Sequence, residues 1–402
     1  MKLHLLLALL ASAAFAGQTN ITIEAGDFDR SYTVVECVLP PGLEPGILAH
    51  SVTGIGQDTA LQIGPDGRGW FIERNLKRGE RKTYVFKSSA ARVPVRAVPG
   101  KGNVTLSAFG RTAFVYNTDP TDFPSGRPDL KSIYHRGGYI HPVLSPGGKQ
   151  ITDDYPANHK HHHGIWWAWT HTEFEGRKPD FWNMGDSKGT VEFVALDKTW
   201  SGPVHAGFIS RLREVDLTAP TPKTALNETW NVQLFAIGND ADNPYFVFDV
   251  EVTDTCATDA PLKLPEYRYG GIGLRGNGAW DGATNMTFLT SEGQTDRSKG
   301  DKNETHGRWM HMGGIVQGGR TGIAVLGHPG NVRAPQPMRM HPTEPFFNFA
   351  PQQAGGLEIK PGQPFVARYR FVVADGAPDK AELDRLWNDY AHPPRVTVIV
   401  EK

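Results

Sequence analysis

Short runs of alternating apolar and polar residues recur along most of this 402-residue chain. In one of them, Trp230, Val232 and Leu234 alternate with Asn231 and Gln233. The clearest runs are residues 31–39, 229–235, 245–252 and 365–373. A period of two between turn residues is typical of half-buried β-strands. Because helical segments do not alternate with these runs, the pattern predicts an antiparallel sandwich rather than a βαβ fold.

One segment near the C-terminus has the period of an α-helix instead. Asp379 followed three residues later by Glu382 has the form of a helix-capping box, and Pro393 ends the segment. The apolar stripe between them consists of Leu383, Leu386, Trp387 and Tyr390. We therefore expect one helix here, which packs on a sheet and has a structural role.

The N-terminus has the features of a secretory signal peptide. A short basic start leads into an apolar run, and Ala14 and Ala16 flank Phe15 as a small-residue cleavage site. The run is shorter than the about 20 residues that a membrane-spanning helix needs. We expect residues 1–16 to be removed and the mature protein to be secreted, into the extracellular space or the periplasm.

A domain boundary is predicted within residues 88–102, which combine small residues with two prolines and two glycines. We expect residues 20–90 to form a small β-sandwich domain. Residues 100–402 then form a large β-sandwich domain that carries the functional site. The two cysteines, Cys37 and Cys256, are widely separated, so a disulfide and two free thiols both remain open.

The charge balance argues against two kinds of partner. The formal net charge is −1, so there is neither a basic surface for nucleic acid nor a polybasic segment for a membrane. Hydrophobic residues make up 39% of the chain, which permits a proper core, and the oligomeric state is left open. Asn-x-Ser/Thr sequons, which an exported protein can carry as glycan sites, lie at Asn20, Asn103, Asn227, Asn285 and Asn303.

Residues 159–171 concentrate the side chains that most often carry chemistry. Five of the 15 histidines and three of the ten tryptophans lie there. Imidazoles bind metals and transfer protons near neutral pH, and indole rings offer flat apolar faces. Polar groups that converge among aromatic rings are more typical of a ligand pocket than of a core.

Two kinds of chemistry remain open for these histidines. On a strand, His159, His161 and His163 would share one face, because side chains alternate. Together with His171 they would supply enough ligands for a divalent metal such as zinc or iron. The alternative is a polar substrate pocket in which His161 or His162 is the general acid or base.

Carboxylates and aromatic rings accompany the histidines. Glu173 and Asp180 are the natural carboxylate partners, and paired carboxylates are used for glycosidic bond cleavage. Glu175 is equally consistent with a charged loop. Trp166 and Trp182 would provide faces that stack on sugar rings.

Two later segments add candidate binding residues. In residues 265–275 three glycines alternate with larger residues, which allows a ligand to approach closely, so that Tyr269 and Arg275 would reach it. A β-bulge or barrel corner explains these glycines equally well. Arg333 and His341 lie in a proline-rich segment, and guanidinium groups suit carboxylates and planar ligands.

Taken together, these motifs resemble the PmoA-like family of exported proteins. The resemblance runs from about residue 20 to the C-terminus and rests on residues 135–142, 145–148, 152–154, 159–166, 180–183, 269–275 and 386–391. Members often accompany polysaccharide-degrading enzymes, so the resemblance implies a carbohydrate-related β-sandwich. The site positions that it implies are His135, His141, His159, His161, His162, Asp180, Trp182 and Arg275.

For the fold we therefore expect a mainly β protein. A small N-terminal β-domain is followed by a large antiparallel β-sandwich of the supersandwich, galactose-mutarotase-like kind, with one C-terminal helix. We expect the candidate site residues, up to about 140 positions apart, to line one concave surface of the large domain, since buried polar groups are costly unless they pair or face a cavity.

For the function we expect a secreted carbohydrate-active enzyme, a glycoside hydrolase or lyase that uses acid–base chemistry. Its catalytic residues are predicted to be His161, His162, Glu173 and Asp180. Its substrate-binding residues are predicted to be His135, His141, Trp166, Trp182, Tyr269, Arg275, Arg333 and His341. Two alternatives stay open: a metal-dependent enzyme or oxygenase that binds a divalent metal through His159, His161, His163 and His171, and a non-catalytic glycan-binding protein.

Overall fold

The computed structural model describes residues 18–50, 58–239, 244–296 and 305–401. The predicted signal peptide and the sequon at Asn303 lie outside the described residues. Within these ranges no helix is both long and apolar enough to cross a membrane. The chain divides into two compact units, of which the first is Met1–Ala91 with Pro394–Lys402 and the second is Arg92–Pro393.

The first unit contains seven described strands, all paired antiparallel. They are β1 (Gln18–Glu24), β2 (Arg30–Cys37), β3 (Gly46–His50), β4 (Thr59–Ile63), β5 (Gly69–Leu76), β6 (Arg81–Ser88) and the last strand of the chain, β26 (Arg395–Glu401). Their order in the sheet is β2-β5-β4-β3-β6-β1-β26. Buried residues from the strands, including Ile21, Val35, Leu48 and Phe71, form one small core.

The C-terminal strand corrects the predicted domain limits. We assigned all of residues 100–402 to the large domain, but β26 pairs with β1 along its whole length, from Gln18 opposite Glu401 to Glu24 opposite Arg395. Alternate residues of β26 are exposed, and Val396 and Val398 pack on the small core. The sequence analysis named no strand after the helix, so this pairing was not anticipated.

The second unit contains the remaining strands and the described α-helix. In chain order its first nine strands are β7 (Val95–Gly100), β8 (Asn103–Ala108), β9 (Arg111–Asn117), β10 (Tyr139–Val143), β11 (Ile165–Ala168), β12 (Gly189–Trp200), β13 (His205–Asp216), β14 (Lys223–Phe235) and β15 (Tyr245–Cys256). The later strands are β16 (Leu262–Leu264), β17 (Gly271–Arg275), β18 (Met286–Thr290), β19 (Thr305–His306), β20 (Trp309–Val316), β21 (Gly319–Gly327), β22 (Pro337–Met340), β23 (Phe346–Phe349), β24 (Leu357–Ile359) and β25 (Phe365–Asp375). Short 3-10 helices lie at Ser132–Tyr134, Met184–Asp186, Gly278–Trp280 and Pro351–Ala354.

Two large sheets of the second unit share one apolar core. One has the order β19-β22-β23-β17-β11-β10-β9-β8-β7 and the other β12-β13-β14-β15-β25-β21-β20-β18, while β16 and β24 form a separate pair. The rings of Phe114 on β9 and Phe248 on β15 meet across the core, with centroids 4.6 Å apart. Tyr116 stacks on Phe208 of β13 at 4.2 Å. The predicted fold, a mainly β protein with a small β unit, a large antiparallel sandwich and a C-terminal helix, is confirmed.

The helix α1 (Lys380–Ala391) lies where its sequence signals placed it. The Asp379 side chain accepts hydrogen bonds from the backbone N–H groups of Ala381 and Glu382, which satisfies two donors of the first turn. The indole of Trp387 donates to the carbonyl of Gly327 on β21. The helix therefore has the expected structural role against a sheet.

Both cysteines are free thiols, Cys37 in the first unit and Cys256 in the second. Burial raises the pKa of Cys37 to about 12. This thiol is therefore protonated, and hence unreactive, near neutral pH.

Candidate active site

The histidine cluster, defined as His159, His161, His162 and His163, lies in the loop between β10 and β11. The backbone N–H of His162 donates to the carbonyl of His159 at 2.9 Å, and His163 forms an isolated bridge with Asp154. We considered a strand that would place alternate histidines on one face. A turn forms instead, and each imidazole makes different contacts.

His159 is held by a carboxylate that the sequence analysis did not identify. Its Nδ1 lies 2.7 Å from Oε2 of Glu344. Arg275, which is fully buried, donates from Nη1 to the same oxygen at 2.9 Å and from Nη2 to Asp281 at 2.9 Å. The His159 side chain is 32% exposed, and no described residue bonds to its Nε2. The imidazole of His159 is therefore held at Nδ1, and its Nε2 makes no hydrogen bond to a described residue.

The charge of Glu344 is stabilised by its surroundings. Burial by itself would raise the pKa of this carboxyl, but the hydrogen bond from His159 and the charges of His159, His341 and Arg275 lower it to about 2. The Nδ1 of His341 accepts the backbone N–H of Glu344 at 3.1 Å. His341, predicted to bind substrate, therefore helps to position this carboxylate.

His161 is the second partly exposed imidazole of the cluster. Its ring meets the rings of His159 and His162 edge-on, with centroids at 5.8 and 4.8 Å, and it makes no hydrogen bond to any described residue. Burial, followed by the charges of His159 and His163, lowers the pKa of His161 to about 3. The imidazole is thus neutral near pH 7, with one donor and one acceptor nitrogen.

His162 is enclosed by aromatic rings and is 2% exposed. It stacks on His159 at 4.6 Å and on Phe346 at 4.8 Å, and Trp166 lies at 4.7 Å. Burial lowers its pKa well below the ordinary value. This position does not support the predicted role as acid or base, because the ring is covered, and His162 instead holds the His159 ring in place.

His163 forms a second imidazole–carboxylate pair, in which the imidazole is fully buried. Its Nδ1 lies 2.7 Å from Oδ1 of Asp154, and its Nε2 has no hydrogen-bond partner among the described residues. The other Asp154 oxygen accepts from the hydroxyl of Tyr139 at 2.9 Å. His141 is bonded nearby, through Nδ1, to the hydroxyl of Thr152.

Asp180, predicted to be catalytic, is occupied by structural hydrogen bonds. One oxygen accepts the backbone N–H groups of Trp182 and Asn183, and the other accepts the Thr170 hydroxyl and the Asn183 side-chain amide. A carboxylate with four donors is a turn-forming group. The Asp180 carboxylate therefore orients Trp182 and has no oxygen left without a donor to act as a base.

The tryptophans predicted as sugar platforms are buried. Trp166 and Trp182 are 1% and 2% exposed, and their ring centroids lie 4.9 Å apart. Trp182 also contacts Tyr269, whose hydroxyl donates to Oδ1 of Asn183. These rings support the histidine cluster from beneath, since buried faces are not available for stacking on a ligand.

A pocket of about 160 Å³ adjoins this network. His171 has a left-handed backbone, with φ of 51°, and its ring stacks on Tyr267 at 4.7 Å and 13°. The Glu173 side chain makes no hydrogen bond to a described residue. The lining consists of His171, Thr172, Glu173, Lys178, Pro179, Asp180, Lys188 and Pro265. The pocket is thus a mixture of donors, acceptors and two proline rings.

Three other predicted residues lie elsewhere. Arg333 donates to the carbonyls of Gly355 and Gly356, so its guanidinium is used to fix a loop. Glu175 is a surface residue that pairs with Lys223 and Arg177, as a charged loop residue would. The exposed His135 ring packs at a tilt against Phe123, with centroids 3.7 Å apart, and lines a different cleft.

The predicted metal set is not assembled. His159 and His163 are each turned toward a carboxylate, and His171 belongs to the pocket beside Tyr267. Across the described ranges, no group of three or more His, Cys, Asp and Glu side chains is arranged to hold a metal ion. The spacing of the histidines in the sequence did not predict that a turn would give each ring different partners.

The expected single concave surface is therefore only partly formed. Contacts join His159, His161 and His162 to Trp166 and Arg275, but several of these side chains are buried. His135 lies outside this group.

The sequence analysis also missed three buried carboxyl groups in the core beneath β11, here called the carboxyl triad: Glu214, Glu228 and Asp254. Asp254 accepts the indole N–H groups of Trp167 and Trp169. Burial, followed by the charge of Asp254, raises the pKa of Glu228 to about 8, and burial raises that of Asp254 to about 7. In the sequence, these three carboxyl residues look like the ordinary polar residues of strands in which polar and apolar residues alternate.

Several solved structures resemble this one at low sequence identity. An α-mannosidase from Enterococcus faecalis V583 is 8% identical, with a TM-score of 0.44, over 98% of this chain and 47% of that one. A protein in the glycosyl hydrolase family 38 from Enterococcus faecalis is 8% identical, with a TM-score of 0.42, over 97% and 48%. The heparan sulfate lyase HepC from Pedobacter heparinus is 10% identical, with a TM-score of 0.33, over 73% and 38%. The chain spans less than half the length of each.

No curated protein sequence matches the chain. The resemblance to the PmoA-like family proposed from the motifs is wrong, because the family found by sequence comparison is a different one. Its match covers residues 103–388, which is well over half of the chain and includes the histidine cluster. The chain accordingly belongs to DUF6807, a family of unknown function.

Proposed function

We propose that this protein is an enzyme that acts on carbohydrate by acid–base chemistry, with His159 as the residue that transfers the proton. The observation that carries the proposal is the pairing of His159 with Glu344. A carboxylate at Nδ1 fixes the imidazole tautomer and stabilises the imidazolium that forms when Nε2 takes up a proton. The free Nε2 of a partly exposed ring is then available to a substrate hydroxyl.

Arg275 and Asp281 support the carboxylate. His159 and His341, followed by Arg275, keep Glu344 ionised, and the hydrogen bond from the buried Arg275 also fixes its position. The neutral His161 ring lies beside His159 and has both nitrogens unused, so it suits hydrogen bonds to sugar hydroxyl groups. We assign His161 to substrate binding and His159 to proton transfer.

The class of substrate is inferred from the neighbouring pocket. Its volume, about 160 Å³, is below the ~300 Å³ at which drug-sized pockets begin, and so suits one small ring. Hydroxyl groups of a sugar both donate and accept, which matches the ammonium, carboxylate and hydroxyl groups of the lining. Asp180 links this pocket to Trp182 and hence to the histidine cluster. Glycosidic bond cleavage, by hydrolysis or elimination, needs a proton donor or acceptor of the kind that His159 provides.

The test is turnover of a panel of plant and microbial polysaccharides, followed through new reducing ends and unsaturated products. We expect His159→Ala to lower kcat by about 10²–10⁴-fold, the usual contribution of a general acid or base. Glu344→Gln should lower kcat while leaving KM nearly unchanged. His306→Ala, an exposed imidazole outside the site, is the matched control.

Two results would contradict the proposal. The first is full activity of His159→Ala, which would place the chemistry elsewhere. The second is glycan binding without any product across the panel, which would indicate a binding protein rather than an enzyme.

A further inference from the structure

A second, larger cleft lies in the same unit but takes no part in the proposed chemistry. Its volume is about 710 Å³, within the ~300–1,000 Å³ typical of ligand sites. It lies beside the first residues of β12 and the 3-10 helix Ser132–Tyr134. The lining consists of Thr118, Asp119, Pro120, Ser132, Ile133, His135, Arg136, Ser187, Thr190, Val191, Glu192 and Phe193.

The cleft presents the exposed imidazole of His135 to a ligand, and the half-buried Phe123, which is not part of the lining, packs against that ring. The ring of His135 lies 3.7 Å from that of Phe123, centroid to centroid. The imidazole of His135 makes no hydrogen bond to a described residue, so both ring nitrogens are available. An exposed ring with free polar atoms gives a sugar an apolar contact and a hydrogen bond together.

The remaining lining selects against anionic ligands. Its one guanidinium, that of Arg136, is 2% exposed and donates to backbone carbonyls, including that of Gly138 at 3.3 Å. Asp119 and Glu192 place negative charge in the cleft, and Glu192 is paired with Arg213. The other polar groups are the hydroxyls of Thr118, Ser132, Ser187 and Thr190. The carboxylates accept hydrogen bonds from neutral polyols and repel the charges of uronates and sulfates, while the hydroxyls both donate to and accept from polyol hydroxyls.

We infer that this cleft binds a neutral oligosaccharide of several rings. The inference rests on the proposed function for the choice of carbohydrate, and adds a binding site separate from the histidine cluster. Phe123 contacts Tyr155 at 5.2 Å, and Tyr155 contacts His163 at 4.8 Å. Two aromatic side chains, Phe123 and Tyr155, thus connect the cleft to the buried His163 of the cluster.

The test is binding of neutral hexasaccharides of glucose, xylose and mannose, and of a galacturonate hexasaccharide, measured by calorimetry and ligand-observed NMR. Thr190→Trp places an indole in the cleft and should weaken binding of the neutral ligand at least about tenfold, as should His135→Ala by removing the aromatic contact. Val194→Trp is the control, since Val194 is an exposed residue of the same strand outside the lining.

Binding by none of the neutral hexasaccharides, tighter binding of the galacturonate, or unchanged affinity in both cleft variants would overturn the inference. His159→Ala separates it from the proposed function. If that variant loses turnover but still binds, both proposals stand. If the native protein binds through the cleft and turns over no glycan, the cleft stands and the enzymatic proposal fails.

Discussion

At the scale of single residues, the second nitrogen of each imidazole distinguishes the histidines. His159 and His163 both pair through Nδ1 with a carboxylate at 2.7 Å. The Nε2 of His163 is sealed in the protein, whereas His159 is about one-third exposed. Only the contact of His163 has hydrogen-bond geometry, and the two roles differ further because only an accessible nitrogen exchanges protons with a substrate.

Arg275 gives the first prediction at this scale. It is fully buried and bonded to Glu344 and Asp281, so its removal leaves Glu344 without the guanidinium that donates to it. We expect Arg275→Ala to lower the free energy of unfolding by about 3–5 kcal/mol, the usual loss when one partner of a buried ion pair is removed. Urea unfolding followed by fluorescence measures this change.

The control for this prediction is Arg211→Ala. Arg211 pairs with Asp197 on the surface, with 53% and 37% of the two side chains exposed. Exposed pairs contribute about 0–1 kcal/mol, so this variant should unfold almost as the native protein does. An equal loss of unfolding free energy in the two variants would mean that the buried ion pair contributes no more to stability than the exposed one.

The sequence predicted where the candidate site lies better than it predicted what each residue does there. Histidine density identified the segment that carries His159 and His161. It did not identify Glu344, which comes from a loop 185 positions later and whose only signal was its place three residues after His341. The catalytic role of Asp180 stays a prediction, and the sequence could not reveal its hydrogen bonds, because a carboxylate that forms a turn and one that transfers protons look alike in sequence.

At the scale of the elements, alternation identified the strands well. The run at residues 229–235 lies within β14, where Trp230, Val232 and Leu234 are all buried. Sheet partners were not predictable, since β26 pairs with β1 nearly four hundred residues away. Alternation reports which face of a strand is buried, whereas pairing depends on which edge is available in the folded chain.

The helix start gives a prediction for an element. Asp379 accepts from the N–H groups of Ala381 and Glu382 at 2.9 and 3.2 Å. Asp379→Ala should destabilise α1 by about 1 kcal/mol, because the two donors lose their partner, while Asp379→Ser should retain most of the stability. Hydrogen exchange of these two amides is the local measurement, and unchanged exchange in Asp379→Ala would contradict the assigned cap.

At the scale of the whole molecule, two sets of buried titratable groups oppose each other. Burial lowers the pKa of His161 to about 3 and that of His311 to about 4. The unfolded chain takes up protons at these imidazoles below about pH 6.5 while the folded chain does not. Their contribution to stability is therefore lost as the pH falls through that range.

The carboxyl triad acts in the opposite direction. Asp254 and Glu228 have folded pKa values of about 7 and about 8, against ordinary values of 3.8 and 4.5. The unfolded chain releases these protons first as the pH rises, so their contribution is full below about pH 4 and is lost progressively up to about pH 8. Above about pH 6.5 the contribution of the histidines no longer rises with pH, so it cannot offset the loss from the carboxyl triad. We therefore expect the free energy of unfolding to fall between about pH 6.5 and about pH 8.

Glu228→Gln isolates this effect, because it keeps the shape of the side chain and removes the proton that ionises. Each pKa unit corresponds to about 1.4 kcal/mol, so the variant should gain several kcal/mol relative to the native protein between about pH 5 and about pH 8. Urea unfolding at a series of pH values measures the difference in slope, with Glu266→Gln, an exposed carboxyl, as the control. A native protein whose stability is flat or rises between about pH 6.5 and about pH 8, or a Glu228→Gln variant with the native slope, would show that the triad ionises as freely in the folded core as in the unfolded chain.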